Sequence, residues 1–166
     1  MIETGSSPVS LAESNSNSDY SYVSFKRFPE AREWVNDMIA LKFIEKYIIH
    51  YQDVRSGDYL LLWVQLNDFL QATEEFRTAK ASLLFQKYLK RDAYRYVGFV
   101  KAEDREKVAT LLDIAMQEDA SPIPKDTFKD IMEDTENLLI QRVFKGFYNS
   151  SFYKEYKKAV VLSSNL

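Results

Sequence analysis

The chain contains no cysteine, which excludes disulfides and thiolate metal sites. Its single histidine, His50, would leave any zinc site dependent on carboxylates. Glycine and proline number four each, too few for a loop-rich or all-β protein. No apolar run is long enough to span a bilayer. The N-terminus has no basic start followed by an apolar stretch, so it does not read as a secretory signal. Ile2, not glycine, follows Met1, and the end Ser163-Ser164-Asn165-Leu166 is not a prenylation box, so neither lipid anchor is expected. The net charge of −3 supplies no overall field toward nucleic acid or an anionic membrane. A cytoplasmic location is expected, with any recruitment to membranes left to a partner.

Large aromatic side chains are plentiful: eleven Phe, eleven Tyr and two Trp. With 46% apolar residues in 166, they suffice for one buried core plus a tail. Residues 1–24 are rich in Ser, Asn, Asp and Glu and are expected to form a mobile tail. Residues 25–159 are expected to be the helical domain, and 160–166 a frayed end. Apolar residues recur at helical spacing throughout the middle. Pro29 suits a first helical position. Trp34, Val35, Met38 and Ile39 follow, then a helix through Phe43, Ile44, Tyr47 and Ile48. Arg55-Ser56-Gly57-Asp58 reads as a break.

From about Asp58, Tyr59, Leu62, Trp63, Leu66, Phe69 and Leu70 make a face wide enough for a central helix. Glu74 to Arg91 reads as the next helix, with Phe76, Leu83, Leu84 and Tyr88 inward. After a loop at 95–101, residues 102–118 read as a helix with Leu111, Leu112, Ala115 and Met116 on its apolar side. Pro122 and Pro124 stop it. Thr127 is the expected cap of a helix carrying Phe128, Ile131, Met132, Thr135, Leu138, Leu139 and Val143 on one face. Ser150 or Ser151 is expected to cap the last helix, through Phe152, Tyr153 and Tyr156. The pattern gives seven to nine helices and no strand.

Few residues offer chemistry. No glycine precedes Lys-Ser or Lys-Thr, so there is no phosphate-binding loop, and no Gly-x-Ser-x-Gly elbow occurs. Neither a catalytic residue, a metal site nor a cofactor is expected. His50 is read as a surface or half-buried side chain. The acids Glu103, Asp104 and Glu106 open a helix, where the dipole favours them; Glu133, Asp134 and Glu136 lie mainly on a wet face. One segment is more pointed: Lys87, Lys90, Arg91, Arg95 and Lys101 alternate with Tyr88, Tyr94, Tyr96 and Phe99. Its plainest reading is inward aromatics with wet bases. A protein contact comes next, and a nucleic-acid contact last.

The C-terminal blocks carry a resemblance. Phe128-x9-Leu138-Leu139-x4-Phe144-x2-Phe147-x2-Ser150-x-Phe152-Tyr153 resembles the closing signature of RGS (regulator of G-protein signalling) domains, with Tyr148 where Leu is usual. Upstream, Phe43-Ile44-x-Lys46-Tyr47, Leu62-Trp63 and Asp68-Phe69 are similar to that family's earlier helices. The resemblance covers roughly residues 30–159. It implies an all-α bundle of about nine helices, with a four-helix subdomain and a second subdomain joining the chain's ends. It also implies a G-protein α subunit as partner. Typical members speed GTP hydrolysis by holding the partner's switch loops, not by supplying a chemical group.

The polar positions depart from the family pattern. Where Glu-Asn precedes the tryptophan in typical members, this chain has Asp58 and Tyr59. The loop Asn is replaced by Gly98, followed by Phe99, and glycine has no side chain to donate or accept. The series Leu, Asp, Arg becomes Leu138, Arg142, Gly146, so an acceptor is replaced by a cation. The resemblance therefore implies an RGS-homology signalling domain that binds a Gα subunit or another signalling protein. Its GTPase-activating ability would be weak or lost. The partner face would comprise Asp58, Tyr59, Gly98, Phe99, Leu138 and Arg142, with Arg142 seeking an acidic group. The alternatives are an active Gα GTPase activator with non-standard contacts, and a helical adaptor or nucleic-acid binder using residues 87–101.

Overall fold

The computed structural model describes residues 29–51, 53–117 and 120–164; the expected tail at 1–24 lies outside them. Among the described residues there are seven α-helices and no strand, against the nine or so helices that the resemblance implies. A 3-10 helix, Pro29–Asn36, leads into α1, Met38–His50. Next come α2, Val54–Gln71, and α3, Glu74–Leu84, which runs on as a π turn, Phe85–Leu89. After a loop, α4 spans Ala102–Ala115 and α5 spans Lys129–Leu139. A second π turn, Ile140–Phe144, joins α5 to the short α6, Lys145–Tyr148, and α7, Ser151–Ser163, closes the described chain.

The packing follows the apolar pattern. Helix α2 buries Tyr59, Leu60, Leu62, Trp63, Leu66 and Phe69, too wide a face for one neighbour, so it touches α1, α3 and α5. With α4 against α3, these helices form the bundle. The 3-10 helix and α7 pack on α1, which brings the two ends of the described chain together.

An aromatic cluster ties the two parts. The Trp34 ring meets Phe144 and Phe147 edge-on, each at 5.4 Å, and Phe144 also lies 5.4 Å from Trp63. Edge-to-face contact sets the positive rim of one ring against the negative face of another. The Trp63 indole N–H donates to Glu136 Oε1 at 3.2 Å, so this buried donor is satisfied. Burial pushes the Glu136 carboxyl above its ordinary pKa, the Trp63 bond and the Arg32 charge acting the other way.

The caps explain where helices begin. Asp37 precedes α1 and accepts the N–H groups of Ile39 at 2.8 Å and Ala40 at 3.0 Å. Its other oxygen accepts the Tyr156 hydroxyl at 2.8 Å, linking α1 to α7 across 119 residues. Asp37→Ala removes both roles and is expected to cost about 1–3 kcal/mol in urea unfolding. A loss below about 0.5 kcal/mol would show that neither bond matters. Ser150 caps α7 as expected, its hydroxyl oxygen accepting the Tyr153 N–H at 3.3 Å.

Several expectations are corrected. Residues 55–58 do not break the chain. Asp53 caps α2 through the Ser56 N–H at 3.2 Å, and Gly57 sits in the first turn, where the Asp53 carbonyl accepts its N–H. Thr127 does not cap α5: its hydroxyl donates back to the Pro124 carbonyl at 2.7 Å, and α5 starts at Lys129. Phe76, Leu83 and Met116 are exposed, at 57%, 69% and 70%, because Ala81, Leu84, Tyr88, Val108 and Leu112 already fill the α3–α4 interface. Helix α4 ends at Ala115, not near residue 118.

Candidate functional site

At one end of the bundle, the start of α2, the α3–α4 loop and the end of α5 converge. Asp58 and Tyr59 stand in the opening turns of α2. The loop carries Gly98 and Phe99 and is braced from several sides. The Val97 N–H donates to Tyr88 O at 3.0 Å, and Arg105 Nη2 donates to Val97 O at 2.8 Å. The Arg105 guanidinium also lies 4.7 Å from the Tyr96 ring centre. Val97 and Val100 plug the loop into the core.

This bracing brings Phe99 edge-on to Tyr59, with centroids 5.1 Å apart and ring planes at 86°. Arg142, from the π turn after α5, lies over the Tyr59 ring at 5.9 Å. Asp58 is held by Arg95 at 2.5 Å, a charge-assisted contact. That bond is the main cause that raises the Arg95 pKa. Beneath the pair, the Tyr88 hydroxyl is buried, and burial pushes its pKa up to about 12. The surface opens here as a cleft of about 420 Å³ lined by Arg55, Asp58, Tyr59, Tyr96, Gly98 and Phe99.

Five of the six expected residues thus meet: Asp58, Tyr59, Gly98, Phe99 and Arg142. Leu138 stands one turn before Arg142, half-buried against the core, and does not line this cleft. Arg55, which carried no expectation as a site residue, and Tyr96, expected only as part of the basic-aromatic segment, also line the cleft. Arg55 lies four residues before Tyr59, a helical neighbour hidden once 55–58 was read as a break. Arg95, expected as a wet or partner-facing base, braces Asp58 instead, and Arg105, which carried no expectation, braces the loop.

The other candidates fall outside the site. His50 is exposed, its ring 5.0 Å from Tyr51 and 5.4 Å from Phe152. Asp130 and Asp134 face Lys107 and Lys101, each pair at 3.9 Å, so these acids bridge α5 to α4 and the loop before it. No cluster of three potential metal ligands occurs among the described residues. No helix there is long and apolar enough to cross a membrane.

A helical bundle that presents aromatic and charged side chains in one cleft has the make of a protein-binding module. The chain matches the family described as regulator of G protein signaling domain over residues 35–156. It therefore belongs to the RGS family. Such domains regulate G-protein signalling as accelerators of a partner's GTPase, and are not enzymes in themselves. Among curated proteins, none matches the chain.

Proposed function

We propose that this RGS domain binds a Gα subunit or another signalling protein through the end of the bundle around Asp58, Tyr59, Gly98, Phe99, Leu138 and Arg142, and that its GTPase-activating ability is weak or lost. The observation that carries this reading is Arg142 lying over Tyr59. The family resemblance sets a hydrogen-bond acceptor and an amide at these two positions. A guanidinium has donors but no acceptor, and Tyr59 is 8% exposed, its ring covered by Phe99 and Arg142. Asp58, the acid that remains, is already engaged by Arg95. Donors on a Gα switch region would be left unpaired here, at about 1–3 kcal/mol for each one buried. The domain would work in the cytoplasm and reach membranes through its partner.

Calorimetric titration with Gα subunits, in the GDP and the GDP-aluminium-fluoride forms, tests this. Affinities for the two forms are expected to agree within about threefold, which is roughly 0.7 kcal/mol. A preference of tenfold or more for the fluoride form, about 1.4 kcal/mol, would restore an active GTPase activator with non-standard contacts. Arg142→Asp should abolish whatever binding is seen; unchanged binding would move the contact to another face.

A further inference from the structure

We propose that the cleft reads an acidic peptide segment of the partner. A Glu or Asp carboxylate would sit between Arg55 and Arg142, and a neighbouring apolar side chain would rest beside the Tyr59–Phe99 pair. The inference rests on the reading that this end of the bundle is the partner face. It adds the chemistry that the partner must bring.

Charge gives the first argument. Among the described residues, Asp58 is the one carboxylate lining the cleft, and Arg95 already neutralises it. Arg55 and Arg142 are both exposed, and neither has a carboxylate within ion-pair range among the described residues. Arg55 lines the cleft with Tyr59, one turn later in α2, and Arg142, outside the lining, reaches the Tyr59 ring from across the bundle. A guanidinium offers a planar fork of donors that matches a carboxylate better than any neutral group. The surroundings reinforce it. Residues 87–101 hold five bases and one acid, a local charge of +4 in a chain of −3, so the remainder carries −7. Three of these bases are paired, Lys90 with Asp92, Arg95 with Asp58 and Lys101 with Asp134, so the charge that steers an acidic segment at the cleft itself is carried by Arg55 and Arg142.

The rings argue for a peptide over a nucleic acid. Base stacking needs a free aromatic face. Tyr59 is 8% exposed, with the Phe99 ring set against it and a guanidinium lying over it. Tyr96 has Arg105 over its ring at 4.7 Å, and Tyr94, whose ring is 93% exposed, lies outside the cleft. A cleft of about 420 Å³ suits one or two side chains, not a strand of bases.

Fluorescence anisotropy with the full chain and the labelled peptide Glu-Phe-Glu-Glu-Phe-Glu tests the idea. Its Gln counterpart and a ten-base oligothymidine serve as comparison probes. The Glu peptide is expected to bind about tenfold more tightly than the Gln peptide, the discrimination of charge-assisted bonds. Arg55→Ala and Arg142→Ala should each weaken it about fivefold or more, while Lys158→Ala, an exposed base on α7, leaves it unchanged. Thermal melts of each variant show whether the fold survives. Equal affinity for the Glu and Gln peptides overturns the inference. So does an equal loss in Lys158→Ala, or tighter binding of the oligothymidine. The outcome is separable from the Gα titration. Glu-peptide selectivity without Gα binding keeps the cleft chemistry and changes the partner. Gα binding that Arg142→Asp abolishes, without Glu selectivity, removes this inference alone.

Discussion

Phe147→Ala is expected to lower unfolding free energy by about 3–5 kcal/mol. The ring is wholly buried. It lies 5.4 Å from Trp34, 5.9 Å from Tyr47 and 5.7 Å from Tyr153, so one side chain joins the 3-10 helix, α1 and α7. It sits on α6, which has only four residues and little helical stability of its own. Removing the ring would leave a void between elements from both ends of the described chain, with no single neighbour able to collapse into it. Domains of this kind total about 5–15 kcal/mol, so the variant should be close to unfolding. Phe76→Ala, at a ring 57% exposed, should stay within about 0.5 kcal/mol. Urea titration followed by tryptophan fluorescence measures both. A loss at Phe147 below about 1 kcal/mol would mean that the cluster is not the keystone it is taken to be.

Gly146→Arg introduces the residue that the resemblance sets at this position, and it is expected to destabilise the chain. Helix propensity alone argues the opposite, since glycine is about 0.8–1 kcal/mol worse than the best helix formers. Sterics decide. A Cβ at 146 would overlap the Tyr47 hydroxyl and press on its Cζ at 3.0 Å. Tyr47 cannot swing clear easily: Tyr51 lies 4.8 Å from its ring, Phe147 5.9 Å and Phe152 6.1 Å. The forced shift should cost about 1–3 kcal/mol. Tyr47→Phe removes the overlapping oxygen, so the double variant should recover at least about 0.5 kcal/mol beyond the sum of the single changes. Strict additivity in thermal or urea unfolding would sink this account.

This pair also shows what the sequence could and could not yield. Positions whose role is to be apolar were legible one by one. Trp63, Leu66 and Phe69 are buried because burying any large apolar side chain is favourable, whatever its neighbour. Ser150 was legible too, since a cap acts on a backbone N–H three residues away. Gly146 was not, because its meaning lies in Tyr47, 99 positions earlier. Asp58 was marked as a partner-facing acid, yet its charge is spent on Arg95, 37 residues on. Arg55 was lost to a local error: Gly57 looked like a break, while the stronger signal was the Asp53 cap. Phe76 and Leu83 have the right spacing but lie on a stretch whose buried side is already taken by Ala81, Leu84 and Tyr88. What could be read depended on one residue and the solvent. What could not depended on a distant partner.

The π turn after α5 limits how this surface can change over time. Its closing bond runs from the Lys145 N–H to the Ile140 carbonyl, spanning five residues where an ordinary helical turn spans four. The helix has in effect swallowed one additional residue. Leu139 lies ahead of that residue and Phe147 behind it, and both are completely buried. Deleting one position here would let the turn close as an ordinary helical one with Leu139 and Phe147 still in register, whereas inserting another would rotate everything downstream by about 100° and turn Phe147 out of the core. The stretch can therefore lose one residue but not gain one, while Gln141, Arg142 and Lys145 are exposed and carry no part of the core. Evolution can respell this stretch letter by letter and shorten it by one, but cannot lengthen it, and a new partner would be met by substitution or by that single loss.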